Sequence, residues 1–503
     1  MFKSKKFLSI ILVSLFTLTL VSCNGGGGAT ATIYYQDSDG DGYGNLAEPQ
    51  EAGEQPTGYV IDNTDCDDND GLEHPGQLWY KDGDNDGYSD GSVFSSCVRP
   101  PNHKSTAELT AASGDCNDYD ANINPEGEEL CGDEEDSNCN NQLDDGCTAL
   151  YSWGWNRSGQ MGNGTGGDEG NISAVPVEAN DLTNLAAIDS GFAHTIVLQE
   201  NGNVWVWGNN YYGEIGYGGI SLMVIPVYIT SNATAITAGG PHTVIIKDDG
   251  TLWAWGDNRA GGLGDGTQTD SGIPVQVQGI TNVTAISAGG FHTIALKDDG
   301  TVWAWGENGD GELGDGAGGT LGDLSKVPVQ VLNLTNVASI DKGRSHSLAL
   351  KHDGTLWAWG RNSDGQLGNA SLVDSTIPVQ VLNLTNVTDM SGGGSHTIAL
   401  KYDGTVWTWG SNWIGQLGNG TLVDSNVPIQ VPNLTGIIDV AAGRYHSIAL
   451  KDDGTIWTWG ENENGQLGNG TVIDSSVPIQ VPNLTGATSV EAGDHHSLSI
   501  VVK

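Results

Sequence analysis

A tryptophan–glycine pair returns seven times in this chain, and this repeat constrains the fold more than any other feature. The steps between copies are 54, 48, 50, 54, 50 and 50 residues. A period of this size is typical of propellers and solenoids, in which each repeat is one supersecondary unit. The tryptophans of the pair are Trp153, Trp207, Trp255, Trp305, Trp359, Trp409 and Trp459.

Each repeat predicts four short strands. In the clearest copy, Gly-x-x-His ends at His292 and an apolar stretch follows, up to an Asp-Gly turn at Gly300. Asp-Gly supplies the positive φ of a two-residue hairpin. The next strand carries Trp303 and Trp305 on one face, because strand side chains alternate. A Val-Pro-Val strand around Pro328 is predicted at an outer blade edge, because proline cannot donate to a central ladder.

The two ends of the repeat region predict a closed ring. The chain enters the repeats at Ala149–Trp153, which is the second half of a unit, and leaves at His496–Lys503, which is the first half. We expect these halves to complete one blade, because an open solenoid would leave both sheet edges bare. The predicted fold of residues 148–503 is therefore an all-β, seven-bladed propeller.

The segment Trp-Gly-x-Asn-x-x-Gly-Gln-Leu-Gly-Asn-Gly, at 409–420 and 459–470, resembles the repeat of the regulator of chromosome condensation family. The resemblance implies a seven-bladed propeller. The eukaryotic founder of that family exchanges nucleotide on a small nuclear GTPase and touches chromatin, whereas a secreted bacterial relative inhibits beta-lactamase through one propeller face. We expect neither founder role here: the net charge of −44 predicts repulsion of nucleic acid, and a lipidated protein of the bacterial envelope, as the amino terminus predicts below, meets no such GTPase.

Residues that recur in every blade are interpreted as scaffold. The seven Gly-x-x-His histidines are expected to satisfy backbone groups at a blade corner. Aromatic and arginine side chains that differ between blades, in the loops after Trp-Gly, are the candidates for binding a partner; local packing over the next blade is their alternative role. These candidates are Trp155, Arg157, Tyr211, Tyr212, Arg259, Arg361 and Trp413. No catalytic residue is predicted, since no nucleophile, base and acid form a matched cluster.

The amino terminus predicts secretion and lipid attachment. A basic start precedes an apolar run from Phe7 to Val21, too short to span a bilayer but typical of a signal peptide. Leu20–Cys23 resembles the bacterial lipoprotein box, which implies cleavage of residues 1–22 and lipidation of Cys23. Asn24 favours sorting to an outer membrane, and residues 23–31 read as a glycine-rich tether. The alternative is an ordinary signal peptide.

Residues 32–147 predict a calcium-binding segment. Between residues 24 and 147 there are 29 acidic and three basic side chains, a density that opposes compaction unless cations neutralise it. One loop matches the D-x-D-x-D-G-x5-E pattern in full, and a second keeps its first half; oxygen ligands at this spacing suit Ca²⁺. The predicted ligands are Asp37, Asp39, Asp41, Tyr43 and Glu48 in the first loop, and Asp82, Asp84, Asp86, Tyr88 and Asp90 in the second.

The same segment resembles aspartate-rich calcium repeats of the thrombospondin type 3 class, and a solvated acidic linker is the alternative. It also holds six cysteines, an even count that predicts three disulfides with fifteen possible connectivities. A zinc site is the weaker alternative, because hard carboxylates surround the thiols. The cysteines are Cys66, Cys97, Cys116, Cys131, Cys139 and Cys147.

Together these features predict a non-enzymatic lipoprotein of the bacterial envelope that binds its partner through the propeller. A calcium-stiffened stalk would present that propeller for protein or glycan binding, with membrane contact through the lipid alone. Two alternatives stay open: a polysaccharide-acting enzyme that works in the propeller mouth, and an inhibitor of an extracellular enzyme.

Overall fold

The computed structural model describes residues 31–127, 129, 131, 135–142, 146–168, 170–180, 182–219 and 221–503. The predicted signal peptide, Cys23 and all but the last residue of the tether lie outside these residues. The chain divides into two compact units, Met1–Glu128 with Ser137–Asn140, and Glu129–Asp136 with Asn141–Lys503. Within the described part of the chain, no helix has the length and apolar character that a bilayer crossing requires.

The first unit contains two small three-stranded sheets. The first has the order β2-β1-β3 and the second the order β5-β4-β6. Each central strand runs directly into one of the predicted metal loops, β1 into Asp37 and β4 into Asp82. Trp79 on β4 is fully buried, and its indole N–H donates to the Ser96 carbonyl at 3.0 Å. The strands are β1 Thr32–Gln36, β2 Asn45–Ala52, β3 Tyr59–Val60, β4 Leu78–Lys81, β5 Val93–Ser95 and β6 His103–Lys104.

Three disulfides join all six cysteines, as predicted, and select one of the fifteen connectivities. The pairs are Cys66–Cys97, Cys116–Cys139 and Cys131–Cys147. With every one of these thiols in a disulfide, none is left to ligate zinc. The third disulfide lies in the second unit, so the division between the units falls before the expected boundary at residue 147.

The second unit consists of seven four-stranded antiparallel sheets, which is the predicted propeller. The first two strands, β7 Thr148–Trp155 and β8 Ile172–Glu178, belong to the last blade. Blades 1 to 3 are β9 Leu185–Ser190, β10 His194–Gln199, β11 Val204–Asn209 and β12 Leu222–Thr230; β13 Ala233–Ala238, β14 His242–Lys247, β15 Leu252–Gly256 and β16 Ser271–Gln276; β17 Val283–Ala288, β18 His292–Lys297, β19 Val302–Glu307 and β20 Leu324–Gln330.

Blades 4 to 6 continue the same order from the axis outward. They are β21 Val337–Lys342, β22 His346–Lys351, β23 Leu356–Gly360 and β24 Ser375–Gln380; β25 Val387–Gly392, β26 His396–Lys401, β27 Val406–Gly410 and β28 Ser425–Gln430; β29 Ile437–Ala442, β30 His446–Lys451, β31 Ile456–Gly460 and β32 Ser475–Gln480. In each blade the proline strand is outermost, where an absent N–H costs no ladder bond.

Blade 7 closes the ring with strands from both ends of the repeat region. Its order is β33-β34-β7-β8, with β33 at Ala487–Ala492 and β34 at His496–Val502. β34 and β7 pair in antiparallel register from His496 opposite Gly154 to Val502 opposite Thr148. The predicted completion of one blade by the two half-units is therefore confirmed.

The tryptophan of each Trp-Gly pair locks neighbouring blades together. All seven of these indoles are fully buried. Trp305 is representative, because its Nε1–H donates to the Gly262 carbonyl of the preceding blade at 2.8 Å, and that carbonyl also accepts the Thr293 hydroxyl at 3.2 Å. Two residues earlier, the indole of Trp303 is only half-buried and lies under Lys297. The Trp-Gly indole is thus the fully buried one, whereas the preceding tryptophan of other blades, such as Trp357 or Trp407, packs against the edge of a core cluster.

The seven repeated histidines form a ring of side-chain hydrogen bonds, which differs from the backbone role expected for them. Each Nε2 lies 3.0–3.5 Å from a threonine or serine hydroxyl of the next blade, as in His292 to Ser347, and His496 reaches Thr195 to close the circle. Each hydroxyl donates to a backbone carbonyl, so the imidazole Nε2–H donates to the hydroxyl. Burial lowers the pKa of His292 to about 3, which keeps the ring neutral.

Candidate functional site

The first acidic loop directs three carboxylates to one point. Asp37, Asp39 and Asp41 each offer an oxygen, and these atoms lie within 4.8 Å of one another. The loop's own backbone holds them: Gly40 N–H donates to Asp37 Oδ1 and Tyr43 N–H donates to Asp41 Oδ1, both at 2.8 Å. The result is a concave group of negative charge with no helix on either side.

A fourth carboxylate comes from a block 28 residues further along the chain than Asp37. Burial raises the pKa of Asp65, and the charges of Asp41 and Asp39 raise it further. Burial and the charges of Asp41, Asp37 and Asp68 likewise raise the pKa of Asp39. The Oδ2 atoms of Asp39, Asp41 and Asp65 are buried without a hydrogen-bond partner. Buried carboxylate oxygens that lack a donor are costly, and a cation would satisfy them.

The second loop repeats this arrangement of four carboxylates. Asp82, Asp84 and Asp86 form the three-carboxylate group, and Asp115 takes the place of Asp65. The Oδ2 atoms of Asp84, Asp86 and Asp115 are again buried without a partner, as is Asp82 Oδ1. Burial raises the pKa of Asp115, as do the charges of Asp86 and Asp84. Two independent stretches of chain thus build the same four-carboxylate centre.

The two centres differ in the basic side chains that lie beside them. At the second centre, Lys104 Nζ lies 2.7 Å from Asp82 Oδ2, and the Lys81 ammonium contacts the Asp118 carboxylate. Among the ion pairs of the described residues, none involves the carboxylates of the first centre. The first centre therefore carries the larger uncompensated charge.

The structure brings together most, but not all, of the predicted metal ligands. Glu48 lies exposed on β2, outside the three-carboxylate group, and Asp90 Oδ2 lies 3.6 Å from Lys81 Nζ. The Tyr43 ring stacks on His74 at 5.3 Å, and Tyr88 is buried, so any contribution of either to a metal would come from its backbone. Sequence reasoning missed Asp65 and Asp115, although each opens an Asp-Cys-x-Asp block that could have signalled a shared role.

Both centres have the donor set of a hard-cation site. All the converging side-chain atoms are carboxylate oxygens, and several are buried without a donor. Oxygen-only sets suit Ca²⁺, Mg²⁺ or Mn²⁺, whereas copper favours nitrogen or sulfur ligands. The side chains that could hold an ion are Asp37, Asp39, Asp41 and Asp65 at the first centre, and Asp82, Asp84, Asp86 and Asp115 at the second.

The predicted partner-binding residues lie at one end of the propeller. Loops between the first and second strands, and between the third and fourth, share that end because the strands alternate in direction. Trp413 packs edge-on against Tyr445 at 5.3 Å, Tyr445 lies 6.5 Å from His495, and His495 lies 6.1 Å from Trp155. These four rings, which we call the aromatic arc, run across blades 5 to 7, and Trp413 is 58% exposed.

A second cluster lies at the same end on blades 1 and 2. Arg259 stacks on the Tyr212 ring at 4.4 Å and pairs with Asp257, while Tyr211 packs edge-on against Tyr212 and is 74% exposed. Arg361 and Arg157 lie outside both clusters. The Nε of Arg361 donates to Ser363 Oγ at 3.0 Å, and the carbonyl of Arg157 accepts the Gly167 N–H at 2.9 Å.

The mouth of the axial channel holds functional candidates that the sequence analysis missed. Here the first variable position of Gly-x-x-His is Phe192, Arg344, Arg444 or Asp494 in four of the blades. Arg344 and Arg444 approach the Asp494 carboxylate at 3.3 and 3.8 Å, and Arg344 also stacks on Phe192 at 4.4 Å. The signal was present in the sequence, because glycine occupies this position in the three other blades.

Deeper in the ring, acidic side chains of the innermost strands hold backbone N–H groups of the next blade. Asp439 Oδ2 accepts the Val490 N–H at 3.0 Å, and Asp341 Oδ2 accepts the Gly392 N–H at 3.1 Å. Burial, followed by the charge of Asp439, raises the pKa of Asp389 to about 7. These carboxylates satisfy the channel-facing edges of the innermost strands, which have no further strand to pair with.

Comparison with known families accounts for both units. The regulator of chromosome condensation (RCC1) repeat matches at 149–198, 201–246, 249–296, 299–350, 353–400, 403–450 and 453–500. A family of metal-binding motifs, named for copper binding and for MopE, matches residues 65–83 and 115–145. These two matches begin at Asp65 and Asp115, the residues that complete the two carboxylate centres.

Curated relatives and solved structures agree on the propeller. The chain is 31% identical over 229 residues to the ultraviolet-B receptor UVR8 of Arabidopsis thaliana, covering 45% of this chain and 52% of the receptor. It is 42% identical over 74 residues to the human E3 ubiquitin-protein ligase HERC2, covering 14% of this chain and 1% of the ligase. The chain thus spans at most about half the length of these relatives.

Two crystal structures share the fold. Prp20p of Saccharomyces cerevisiae, which has binding properties to Gsp1p and histones, is 23% identical with a TM-score of 0.64. The match covers 71% of this chain and 92% of Prp20p. Human WBSCR16 is 22% identical with a TM-score of 0.63, covering 70% of this chain and 98% of that protein. At this level of identity the likeness is one of fold.

Proposed function

Because the chain belongs to the regulator of chromosome condensation (RCC1) repeat family, we propose that it is a non-enzymatic binding protein whose propeller presents one end to a protein or glycan. One observation carries this proposal. The residues common to all blades are buried in inter-blade hydrogen bonds, whereas the aromatic and arginine residues that differ gather at one end. Exposed aromatic and arginine side chains are typical anchors of binding surfaces.

The first unit, in this proposal, is a stalk that calcium stiffens. Support comes from the two four-carboxylate centres, their buried oxygens without donors and their oxygen-only composition. Calcium would neutralise the carboxylates and hold each loop to its Asp-Cys-x-Asp block. Competition between calcium and copper tests the metal: the oxygen donors predict that calcium protects the unit from proteolysis and that copper does not replace it.

The location proposed for this protein is the bacterial envelope, with a lipid on Cys23 as the anchor and the outer membrane as the destination. The support is the resemblance of Leu20–Cys23 to the lipoprotein box, together with three disulfides that suit an oxidising compartment. Globomycin, which blocks lipoprotein signal peptidase, should cause the uncleaved precursor to accumulate. Normal processing in its presence would contradict lipid attachment.

The binding proposal is tested with the chain as bait against envelope and extracellular material, in calcium and in chelator. A matched variant carries Trp155→Ala, Tyr211→Ala and Trp413→Ala, which removes exposed rings and leaves the buried Trp-Gly indoles intact. We expect capture by the parent chain and at least tenfold weaker capture by the variant. Equal capture by both, or capture by neither, contradicts the proposal.

A further inference from the structure

The mouth of the axial channel, defined above by Phe192, Arg344, Arg444 and Asp494, is a cavity at the binding end of the propeller. Its internal volume is about 50 Å³, so a group of the size of a carboxylate can enter it while the rest of a larger ligand lies outside. Glycines of the Gly-x-x-His loops line most of it and leave room at the centre. A backbone ring supports the wall, as in the bonds from Gly290 N–H to the Arg344 carbonyl and from Arg344 N–H to the Gly393 carbonyl.

Positive charge is concentrated in this cavity. Arg344, Arg444 and Lys342 line it, whereas the chain as a whole has a net charge of −44. Lys342 Nζ is occupied by both oxygens of Asp189, at 2.9 and 3.0 Å. The two guanidiniums share the single carboxylate of Asp494 within ion-pair distance.

Hydrogen-bond donors are also left over. Each guanidinium has five N–H groups, and the polar contact of each is the one to Asp494. Both side chains are about one-third exposed, at 35% and 34%. The buried Ser190 hydroxyl lines the same cavity and has no hydrogen-bond partner. Two guanidiniums around one carboxylate are the arrangement that recognises a second carboxylate.

Aromatic rings flank the charged centre on both sides. Phe192 lies under Arg344, with Phe291 packed edge-on to it at 6.1 Å. On the other side, Arg444 stacks on Tyr445 at 4.9 Å, and Tyr445 belongs to the aromatic arc. A carboxylate site bordered by half-buried aromatic rings fits a sugar acid, because the C–H face of a pyranose packs on an aromatic ring while its carboxylate reaches the arginines.

We infer that the mouth binds a hexuronate residue carried on an otherwise neutral oligosaccharide, an inference that rests on the proposed binding function and names its ligand class. Additional anionic groups are disfavoured, because Glu461, Glu463 and Asp474 line a neighbouring depression beside Trp413. Asp494 occupies the place next to the arginines that the sugar carboxylate requires. It therefore competes with the ligand and sets a moderate affinity.

The experiment is calorimetric titration of the full chain, in calcium, with glucuronosyl-glucose and with its neutral counterpart cellobiose. We expect binding of the acidic disaccharide, weakened by salt, and at least tenfold weaker binding of cellobiose. Arg344→Gln with Arg444→Gln should lower the affinity about tenfold. Asp494→Asn should raise it about threefold, a gain that misfolding cannot produce. The control is Lys451→Gln, which makes the same charge change at the opposite end, beside Asp453, and should leave the affinity unchanged.

Several outcomes would overturn the inference. They are equal affinity for the two disaccharides, no change in the double arginine variant, no gain in Asp494→Asn, and tighter binding of a peptide through its terminal carboxylate. The proposed function is tested separately, because capture from envelope material does not depend on this ligand. A double arginine variant that still captures the partner, while no uronate binds, would end the inference and leave the binding function standing.

Discussion

The two units of this chain hold their shape by opposite means. The propeller buries seven indoles, a closed histidine ring and apolar clusters in every blade, all supplied by its own sequence. In the first unit, the buried apolar side chains among the described residues are few, including Tyr34, Trp79, Tyr88 and Ile123, while the carboxylates are many. The comparison indicates that the propeller's stability is encoded in its packing, whereas the first unit has little apolar packing and is cross-linked by disulfides; in our proposal, ions from solution supply the rest.

The largest expected effect is the loss of the first unit's structure on calcium removal. Two sites, each at a calcium concentration one hundred times its Kd, would together contribute about 5 kcal/mol to the free energy of unfolding. We expect chelator to make residues 31–127 protease-sensitive under non-reducing conditions, and to leave the propeller's calorimetric transition in place. Tryptophan emission is the control, since 15 of the 16 tryptophans lie in the propeller. Unchanged proteolysis would contradict the stalk.

Acidification should lower the stability of the propeller, the unit that calcium removal is expected to leave intact. Burial holds the pKa of His194, His292, His346 and His496 at about 3, below the unfolded value of 6.5. The neutral ring therefore contributes its full stability above pH 6.5 and loses it as the pH falls toward 3. At about pH 5 the loss is roughly 2 kcal/mol for each histidine.

Buried acids oppose this change only in part. Burial raises the pKa of Glu312 and of Asp389 to about 7, so these groups add stability as the pH falls. Burial also raises the pKa values of other propeller acids, Asp341, Asp439, Glu491 and Asp494. Each of the seven histidines loses stability over the same interval, and we expect a lower propeller Tm at about pH 5 than at neutral pH. The first unit in chelator should respond in the opposite direction, because burial raises the pKa values of Asp39 and Asp115. A propeller Tm that does not change with pH would show that the ring accommodates protons.

A smaller effect is expected from one added methyl group beside the histidine ring. A Cβ at Gly343 would lie 2.1 Å from Cε1 of the buried His346, so Gly343→Ala must displace the imidazole or the backbone. We expect a loss of about 2–3 kcal/mol, read from the urea midpoint of the propeller. The matched control is Gly170→Ala, whose new Cβ meets nothing within 4 Å. Equal midpoints for the two variants would mean that the ring is not close-packed.

The smallest effect separates the carboxylates of the first centre. Asp65→Asn removes a charge that acts on Asp39 and Asp41, and should weaken calcium binding there about tenfold, or about 1.4 kcal/mol. Asp67→Asn makes the same change in an exposed neighbour, whose Oδ1 accepts only local hydrogen bonds from Asn69, and should alter affinity little. Direct calcium titration distinguishes them. Equal weakening of calcium binding by both substitutions would show that Asp65 acts only through the overall negative charge of the loop.

Sequence reasoning captured the propeller because its determinants are local. Asp-Gly turns, alternating tryptophans and outer-edge prolines each act within one blade, and the half-unit ending at Trp153 shows where the ring closes. The partner of each histidine was missed because the hydroxyl that accepts its hydrogen bond belongs to the next blade, about fifty residues away in six cases and 301 residues away for His496. That contact follows from the curvature of the ring and from no local pattern.

The metal centres were captured in part for the same reason. The three-aspartate loop is local, and its residues converge as predicted. Glu48 was chosen from a spacing that belongs to helix-flanked loops, whereas here the chain continues as β2 and carries Glu48 outward. Asp65 and Asp115 come from later segments, which disulfides through Cys66 and Cys116 help to hold. Arg344 and Arg444 were not predicted, because they lie in the Gly-x-x-His loops and the predicted binding residues all lie in the loops after Trp-Gly.

The shared blade also sets the order of events in making this protein. β7 pairs with β34, the last of the 34 strands in the part of the chain that the structure describes, so the ring closes only when that strand is available. When the first six blades have been synthesised, the propeller is still an open arc, and the sheets at its two ends have unpaired edges. In our proposal of secretion, export as an extended polypeptide is compatible with this architecture, since β7 and β34 pair only after the repeat region has left the ribosome.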